Sequence, residues 1–158
     1  MDDIRRCVIG ICTASLLCGC GKPDSPDSHA RAPDNELGKI RFETYCAACH
    51  QLGGRGIEGR VPPLTDSPWV AGPESRMIRI VLHGLRGPIE IHGETYNLEM
   101  PSFGRLFEDA EIASMLSYVR QRYGAPSPPI TAAAVKKVRA ATKDRTFYWT
   151  VDELLKVP

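Results

Sequence analysis

The sequence predicts a small all-α domain, because its apolar residues recur with helical rather than strand periodicity. The clearest helix is predicted over 108–123, with acidic residues in the first turn and Gly124 just past the end. Its apolar residues are spaced by three and four positions: Ile112, Met115, Leu116 and Val119. With 158 residues the chain is long enough for one domain with tails, and a net charge of +1 argues against a nucleic-acid partner.

Two further helices and a ribbon are predicted upstream of that helix. The first helix runs through residues 36–50 from a cap at Asp34 or Asn35. A glycine- and proline-rich loop follows it. Another helix opens at Pro73-Glu74 and ends at His83-Gly84. Weak alternation around a His-Gly turn in residues 87–100 predicts a small two-stranded ribbon.

The first 19 residues have the pattern of an export signal. Arg5 and Arg6 precede an apolar run that is too short to span a membrane as a helix. The run ends at Leu17-Cys18-Gly19-Cys20, which resembles a bacterial lipobox, so the signal peptide is predicted over 1–19 and lipidation at Cys20. Lipidation at Cys18, or cleavage without a lipid, are the alternatives. Residues 20–35 are rich in Pro, Asp and Ser and are predicted to form a flexible linker.

The segment "YCAACH" at 45–50 carries the chemistry. Two cysteines separated by two residues and followed by histidine have the spacing that attaches c-type haem. Cys46 and Cys49 can each form a thioether to one vinyl group, and His50 then lies within reach of the iron. A thioredoxin-like redox site would need a βαβ setting, and a structural zinc site would need four ligands. The spacing therefore predicts one covalently bound haem c as cofactor.

With this motif, residues 36–124 resemble the class I mono-haem c-type cytochromes. In that family a small residue and an aromatic residue four positions later precede the haem motif, and Gly38 and Phe42 match them. A C-terminal helix that carries an aromatic residue crosses the first helix, and Tyr118 with Met115 matches it in kind. The resemblance implies a cytochrome c-like helical fold around one covalently bound haem.

The resemblance also implies the groups around the iron. A proline carbonyl fixes the axial histidine in this family, and Pro62 or Pro63 is the candidate. The sixth ligand is a methionine, often followed by proline, and Met100-Pro101 matches. His50 and Met100 are thus the expected axial ligands of the haem iron.

Other groups remain as alternatives to Met100. Met77 and Met115 lie on apolar helical faces, where methionine usually fills gaps in a core. His83, at a helix C-terminus, and His92, in a turn, could supply a second imidazole, or the iron could keep an open position. Candidate donors to the haem propionates are chosen by residue type: Arg55, Arg60, Trp69, Arg79 and Tyr96.

The function implied by the resemblance is one-electron transfer rather than catalysis. An exported, periplasmic and lipid-tethered cytochrome would pass electrons from a dehydrogenase or respiratory complex to an oxidase or another acceptor. The alternatives are a cytochrome subunit of an exported quinoprotein dehydrogenase, a haem sensor or enzyme with an open iron site, and a lipoprotein without haem.

The C-terminal extension, residues 125–158, lies outside the segment that resembles the family. It begins with a proline-rich exit and contains a basic stretch and an aromatic one. A last short helix is predicted from Thr150, where Glu153 completes a capping box. The extension is expected to pack on the domain or to contact a partner.

Overall fold

A computed structural model of the protein describes residues 35–157. The signal peptide predicted over 1–19, the predicted lipidation site Cys20 and all of the predicted linker except Asn35 lie outside the described residues. Asn35 itself is the first residue of a helix rather than part of a linker. The elements in chain order are α1 (Asn35–Arg41), a π-helical turn (Phe42–Cys46), α2 (Ala47–His50), α3 (Pro68–Ala71), α4 (Glu74–His83), β1 (Ile89–Ile91), β2 (Glu94–Tyr96), α5 (Asp109–Tyr123), α6 (Ala132–Ala141) and α7 (Val151–Lys156).

The predicted all-α class is confirmed, with one two-stranded ribbon among the described residues. In the ribbon, Ile89 pairs with Tyr96 and Ile91 with Glu94. The turn between the strands has positive φ at His92 and at Gly93, 55° and 81°, which is the requirement of a type I′ hairpin turn. The ribbon predicted around the His-Gly turn is therefore present.

The haem motif lies at the end of a helix that crosses α5. Gly38 is buried at this crossing, and a Cβ atom built there would lie 2.2 Å from the carbonyl oxygen of Ser114. Phe42 is fully buried, with its ring centroid 5.6 Å from that of Tyr118 and 5.3 Å from that of Tyr123. The small residue, the aromatic residue and the crossing helix are thus arranged as the resemblance implied.

Helix α4 supplies a second wall of the core. It buries one apolar face made of Met77, Ile78, Val81 and Leu82. The helix ends at Gly84, where φ is +80° and the backbone turns in a conformation that favours glycine. Ser67 caps the short helix α3 by accepting a hydrogen bond from the backbone amide of Trp69 at 3.3 Å.

The C-terminal extension contains a helix that was not predicted from the sequence. Residues 132–141 form α6, capped by Thr131, whose side chain accepts from the Ala134 amide. Val135 and Val138 are buried on this helix, which packs on α4 and α5. The second helix of the extension, α7, begins after Thr150 with the expected capping box.

No helix among residues 35–157 is both long enough and apolar enough to span a membrane.

Candidate haem site

An apolar cavity of about 770 Å³, open to solvent on one side, lies between the end of the first helix and the segment around Met100. Cys46, His50 and Met100 all line it. Most other lining groups are aliphatic or aromatic side chains from α4, α5, β1 and the loop after the motif. A cavity of this size and character suits a large flat apolar ligand.

The imidazole of His50 has one nitrogen already engaged. Its Nδ1 lies 3.1 Å from the carbonyl oxygen of Pro62, which can only accept, so Nδ1 carries the proton. This fixes the ring and leaves Nε2 with a free lone pair, as in metal-binding histidines. Burial lowers the pKa of His50, although the Pro62 hydrogen bond partly opposes this. The side chain is therefore prepared as a neutral ligand, and Pro62 rather than Pro63 is the residue whose carbonyl orients it.

Gly56 allows the loop after the motif to reach that position. Its φ is +68°, its amide donates to the carbonyl oxygen of His50 at 3.0 Å, and a Cβ there would lie 2.2 Å from the carbonyl oxygen of Val61. Any larger residue would push Val61 and Pro62 away from the histidine. Within the glycine-rich loop predicted from the sequence, Gly56 is thus the glycine that lets Pro62 approach His50.

The two cysteines of the motif differ in exposure. Cys49 is exposed, whereas Cys46 is half-buried, with its Sγ 3.7 Å from the Sδ of Met115. Burial, together with the neighbouring Cys49 thiol, raises the pKa of Cys46 to about 11. Before any thioether is formed, Cys46 is therefore a neutral thiol on the cavity wall.

Met100 is held through its backbone. Its amide donates to the carbonyl oxygen of Leu85 at 3.0 Å, and its carbonyl oxygen accepts from the Leu85 amide at 3.1 Å. This isolated bridge fixes the position of a residue that belongs to no helix and no regular strand. Leu85 could not be predicted as its partner from the sequence, because no periodicity marks a bridge of one residue pair.

The alternative iron ligands have other surroundings. The Nε2 of His83 lies 2.7 Å from the Oγ1 of Thr142, and that of His92 lies 3.2 Å from the carbonyl oxygen of Asp66. Neither histidine lines the cavity. Met77 and Met115 do line it, but from the regular backbone of α4 and α5, where both are buried.

The candidate propionate donors do not form one cluster. Trp69 lines the cavity, with the Arg76 guanidinium 5.0 Å from its ring centroid. Arg55 and Arg60 are exposed and do not line the cavity. The Tyr96 hydroxyl donates to Glu94 at 2.7 Å. Of the five candidates, only Trp69 contributes to the cavity wall.

These residues fit a covalently attached haem. The cavity wall offers the Cys46 thiol, the oriented His50 imidazole, the Met100 thioether in a loop and apolar side chains, and the exposed Cys49 thiol follows Cys46 in the same motif. Within residues 35–157 no three His, Cys, Asp or Glu side chains gather as they would in a separate metal site. The donor set is that of a haem protein rather than of a zinc cage.

Comparison with known families agrees with this geometry. The family model for cytochrome c matches residues 35–122, which is more than half of the chain. The chain therefore belongs to the cytochrome c family and carries covalently bound haem c. The prediction of a class I c-type cytochrome is confirmed.

Relatives include cytochromes c-552 and the cytochrome subunits of an oxidase and of a dehydrogenase. Cytochrome c-552 of Thermus thermophilus is 41% identical over 111 residues, which cover 63% of this chain and 82% of that protein. The cbb3-type cytochrome c oxidase subunit FixP of Azorhizobium caulinodans is 35% identical over 100 residues, covering 63% of this chain and 32% of that subunit. The gluconate 2-dehydrogenase cytochrome c subunit of Pantoea cypripedii is 29% identical over 118 residues, covering 73% of this chain and 26% of that subunit.

Proposed function

We propose that this protein is an exported one-electron carrier whose haem is attached through Cys46 and Cys49 and bound axially by His50 and Met100. The observation that supports this most directly is that His50 and Met100 line one apolar cavity and are both held by backbone hydrogen bonds. The bound haem supplies an iron centre that alternates between two oxidation states one electron apart.

The side chains define how that centre behaves. The soft thioether of Met100 favours the reduced iron relative to a second imidazole and so raises the reduction potential. The apolar walls keep water away and act in the same direction. Held by both His50 and Met100, the iron would offer no position to dioxygen or peroxide, so the protein would transfer electrons without making or breaking bonds of a substrate.

The rival function is that of a haem sensor or enzyme with an open iron position. Carbon monoxide discriminates between the two, because it binds reduced five-coordinate haem and not a haem with two firm protein ligands. We expect the absorption spectrum of the reduced protein to stay the same when carbon monoxide is added. Rapid uptake of the gas would refute the carrier function in favour of the rival.

The partners are proposed to be other redox proteins. Electrons would arrive from a dehydrogenase or respiratory complex and leave to an oxidase or another cytochrome. Relatives that are cytochrome subunits of an oxidase, of a gluconate 2-dehydrogenase and of a fructose dehydrogenase support this range. The two dehydrogenase subunits also support the alternative that this chain is the cytochrome subunit of a dehydrogenase. Extraction in mild detergent separates the two, because a subunit co-purifies in fixed stoichiometry with its enzyme, whereas a carrier emerges alone.

Membrane attachment is proposed to occur through a lipid on Cys20. Cys20→Ser should move the protein from the membrane fraction to the periplasmic fraction, while Cys18→Ser, as the matched control, should leave it on the membrane. The opposite pattern would assign the lipid to Cys18. Retention of both variants on the membrane would discard the lipid anchor.

A further inference from the structure

We propose that the C-terminal extension positions the sulfur ligand of the iron. Residues 98–107, here called the ligand loop, carry Met100 and are linked to the extension at two places. Trp149 acts on one side through Leu85, and Arg139 acts on the other side directly. The inference rests on the proposed ligation by Met100 and assigns Trp149 and Arg139 as positioning residues.

The first contact is a chain of backbone pairs. Leu85 pairs with Met100 on one side and with Trp149 on the other. The Arg86 amide donates to the Trp149 carbonyl oxygen at 2.8 Å, and the Trp149 amide donates to the Gly84 carbonyl oxygen at 3.1 Å. Three short extended segments thus lie side by side. Leu85 is in the middle segment, Met100 is in one outer segment, and Trp149, from the extension, is in the other.

Packing reinforces that pairing. A Cβ built on Gly84 would lie 2.4 Å from the Tyr148 ring and 2.5 Å from the Met100 carbonyl oxygen, so the extension and the ligand loop contact the same glycine. Trp149 is only 7% exposed and packs in one cluster with Leu85 and Met100. Moving Trp149 would therefore loosen the backbone against which Met100 is fixed.

Arg145 holds Trp149 in place. Its guanidinium donates to the Phe147 and Tyr148 carbonyl oxygens at 2.9 and 2.7 Å, and its central carbon lies 3.5 Å from the Trp149 ring centroid. It also pairs with Glu153 at 2.7 Å, which joins this segment to α7. The contact with Leu85 is therefore made by an ordered part of the extension.

The second contact is made by Arg139 of α6. Its guanidinium donates to the carbonyl oxygens of Gly104 and Phe107, the latter at 3.0 Å, and pairs with Asp109 at 2.7 Å. Both carbonyls lie in the ligand loop, a few residues beyond Met100. One side chain of the extension thus fixes the second half of that loop.

These contacts determine how readily the thioether leaves the iron. An external ligand can take that position only in molecules whose ligand loop has opened, so its apparent affinity is its intrinsic affinity reduced by the open fraction. Loss of a hydrogen bond from a charged donor changes an equilibrium constant by about tenfold. The affinity of the oxidised protein for imidazole therefore measures how strongly the extension keeps the ligand loop, and with it Met100, in the closed position.

The test compares two variants with two matched controls. Arg139→Met should bind imidazole about tenfold more tightly than wild type, while Lys137→Met, an exposed cation on the same helix, should bind as wild type does. Trp149→Leu should also tighten binding, while Phe147→Leu, at a side chain that is 78% exposed, should not. Arg139→Lys keeps the positive charge and should bind imidazole with an affinity between those of wild type and Arg139→Met. Trp149→Phe replaces Trp149→Leu in the test if Trp149→Leu does not accumulate.

Two further readouts separate this role from general destabilisation and from a wrong ligand. Gly38→Ala lowers stability at the crossing of α1 and α5, where the nearest atoms belong to Ser114 and Tyr118, and its imidazole affinity should match wild type. If Arg139→Met and Trp149→Leu also match wild type, the positioning role is overturned while Met100 can remain the ligand. If wild type itself lacks the near-infrared charge-transfer band of methionine-ligated ferric haem, ligation by Met100 fails and the inference fails with it.

Discussion

The backbone of Gly38 contacts the backbone of Ser114 at the crossing of α1 and α5, with room for a hydrogen atom but not for a methyl group. A Cβ at position 38 would lie 2.2 Å from the Ser114 carbonyl oxygen and 3.1 Å from the Cβ of Tyr118. The nearest obstacle is backbone on a long buried helix, which cannot turn aside as a side chain could.

Gly38→Ala should therefore destabilise the protein even though alanine favours helix formation. Separating the two helices should cost about 2–3 kcal/mol of the free energy of unfolding. Denaturant titration of the haem-loaded protein measures it. Gly53→Ala, at an exposed glycine with ordinary φ, is the control and should change stability by less than about 0.5 kcal/mol. Equal stability of both variants would contradict the close crossing.

Met100→Ala should lower the reduction potential and remove the near-infrared band of the oxidised protein. The drop should be on the order of 100 mV. Since about 59 mV corresponds to a tenfold change for one electron, this is a change of somewhat less than a hundredfold in the preference for reduced over oxidised iron. Potentiometric titration and absorption spectroscopy measure the two effects. Met77→Leu, at a buried methionine of the same cavity, should retain the band and most of the potential. If Met77→Leu lost the band instead, the ligand would be Met77 of α4 rather than Met100.

The double variant Cys46→Ser, Cys49→Ser should be poorly folded without haem. Without haem the apolar side chains that line the cavity would lose their largest packing partner and face water, at a cost of about 25 cal/mol for each Å² of apolar surface left exposed. The NMR spectrum of the haem-free variant should show little dispersion. A well-dispersed spectrum would mean that the walls close without the cofactor.

His83 should make the protein less stable in mild acid. Burial and the positive charges of Arg145 and Arg139 hold the pKa of His83 below its ordinary value of 6.5, although a backbone hydrogen bond at Arg145 opposes this. As pH falls below about 6.5, the unfolded chain takes up the proton before the folded chain does, so the free energy of unfolding decreases. His83→Gln should flatten this part of the pH dependence by less than about 1.4 kcal/mol per pH unit, the limit for one proton. Parallel curves for the variant and the wild type would contradict it.

The regular parts of the fold were predictable because local sequence determines them. Apolar spacing marked α4 and α5, and the His-Gly turn marked the ribbon. Helix α6 was not recognised, because the proline-rich segment before it and the charges at Lys136, Lys137 and Arg139 obscured two buried valines. Its cap at Thr131 and its alanine content were the available signals.

The candidate site was predictable only in part, for a related reason. Spacing singled out Cys46, Cys49 and His50 as candidates for haem attachment and ligation, and the dipeptide Met100-Pro101 singled out Met100 as the candidate sixth ligand. The contacts that fix these groups come from the backbone of Pro62 and Leu85 and so depend on how distant segments meet. Arg55 and Arg60 were chosen by residue type alone, and that information does not tell whether a side chain reaches a cavity.

The bridge between Leu85 and Trp149 also bears on the order of events in folding. It closes a long stretch of chain, and such distant contacts form late because their entropic cost must first be met. Until that bridge forms, Leu85, which lines the cavity and pairs with Met100, lacks its partner on the other side. The proteins that attach haem would then find a cavity wall that is not yet fixed at Leu85. Docking of the segment around Trp149 after attachment would complete that wall around the cofactor.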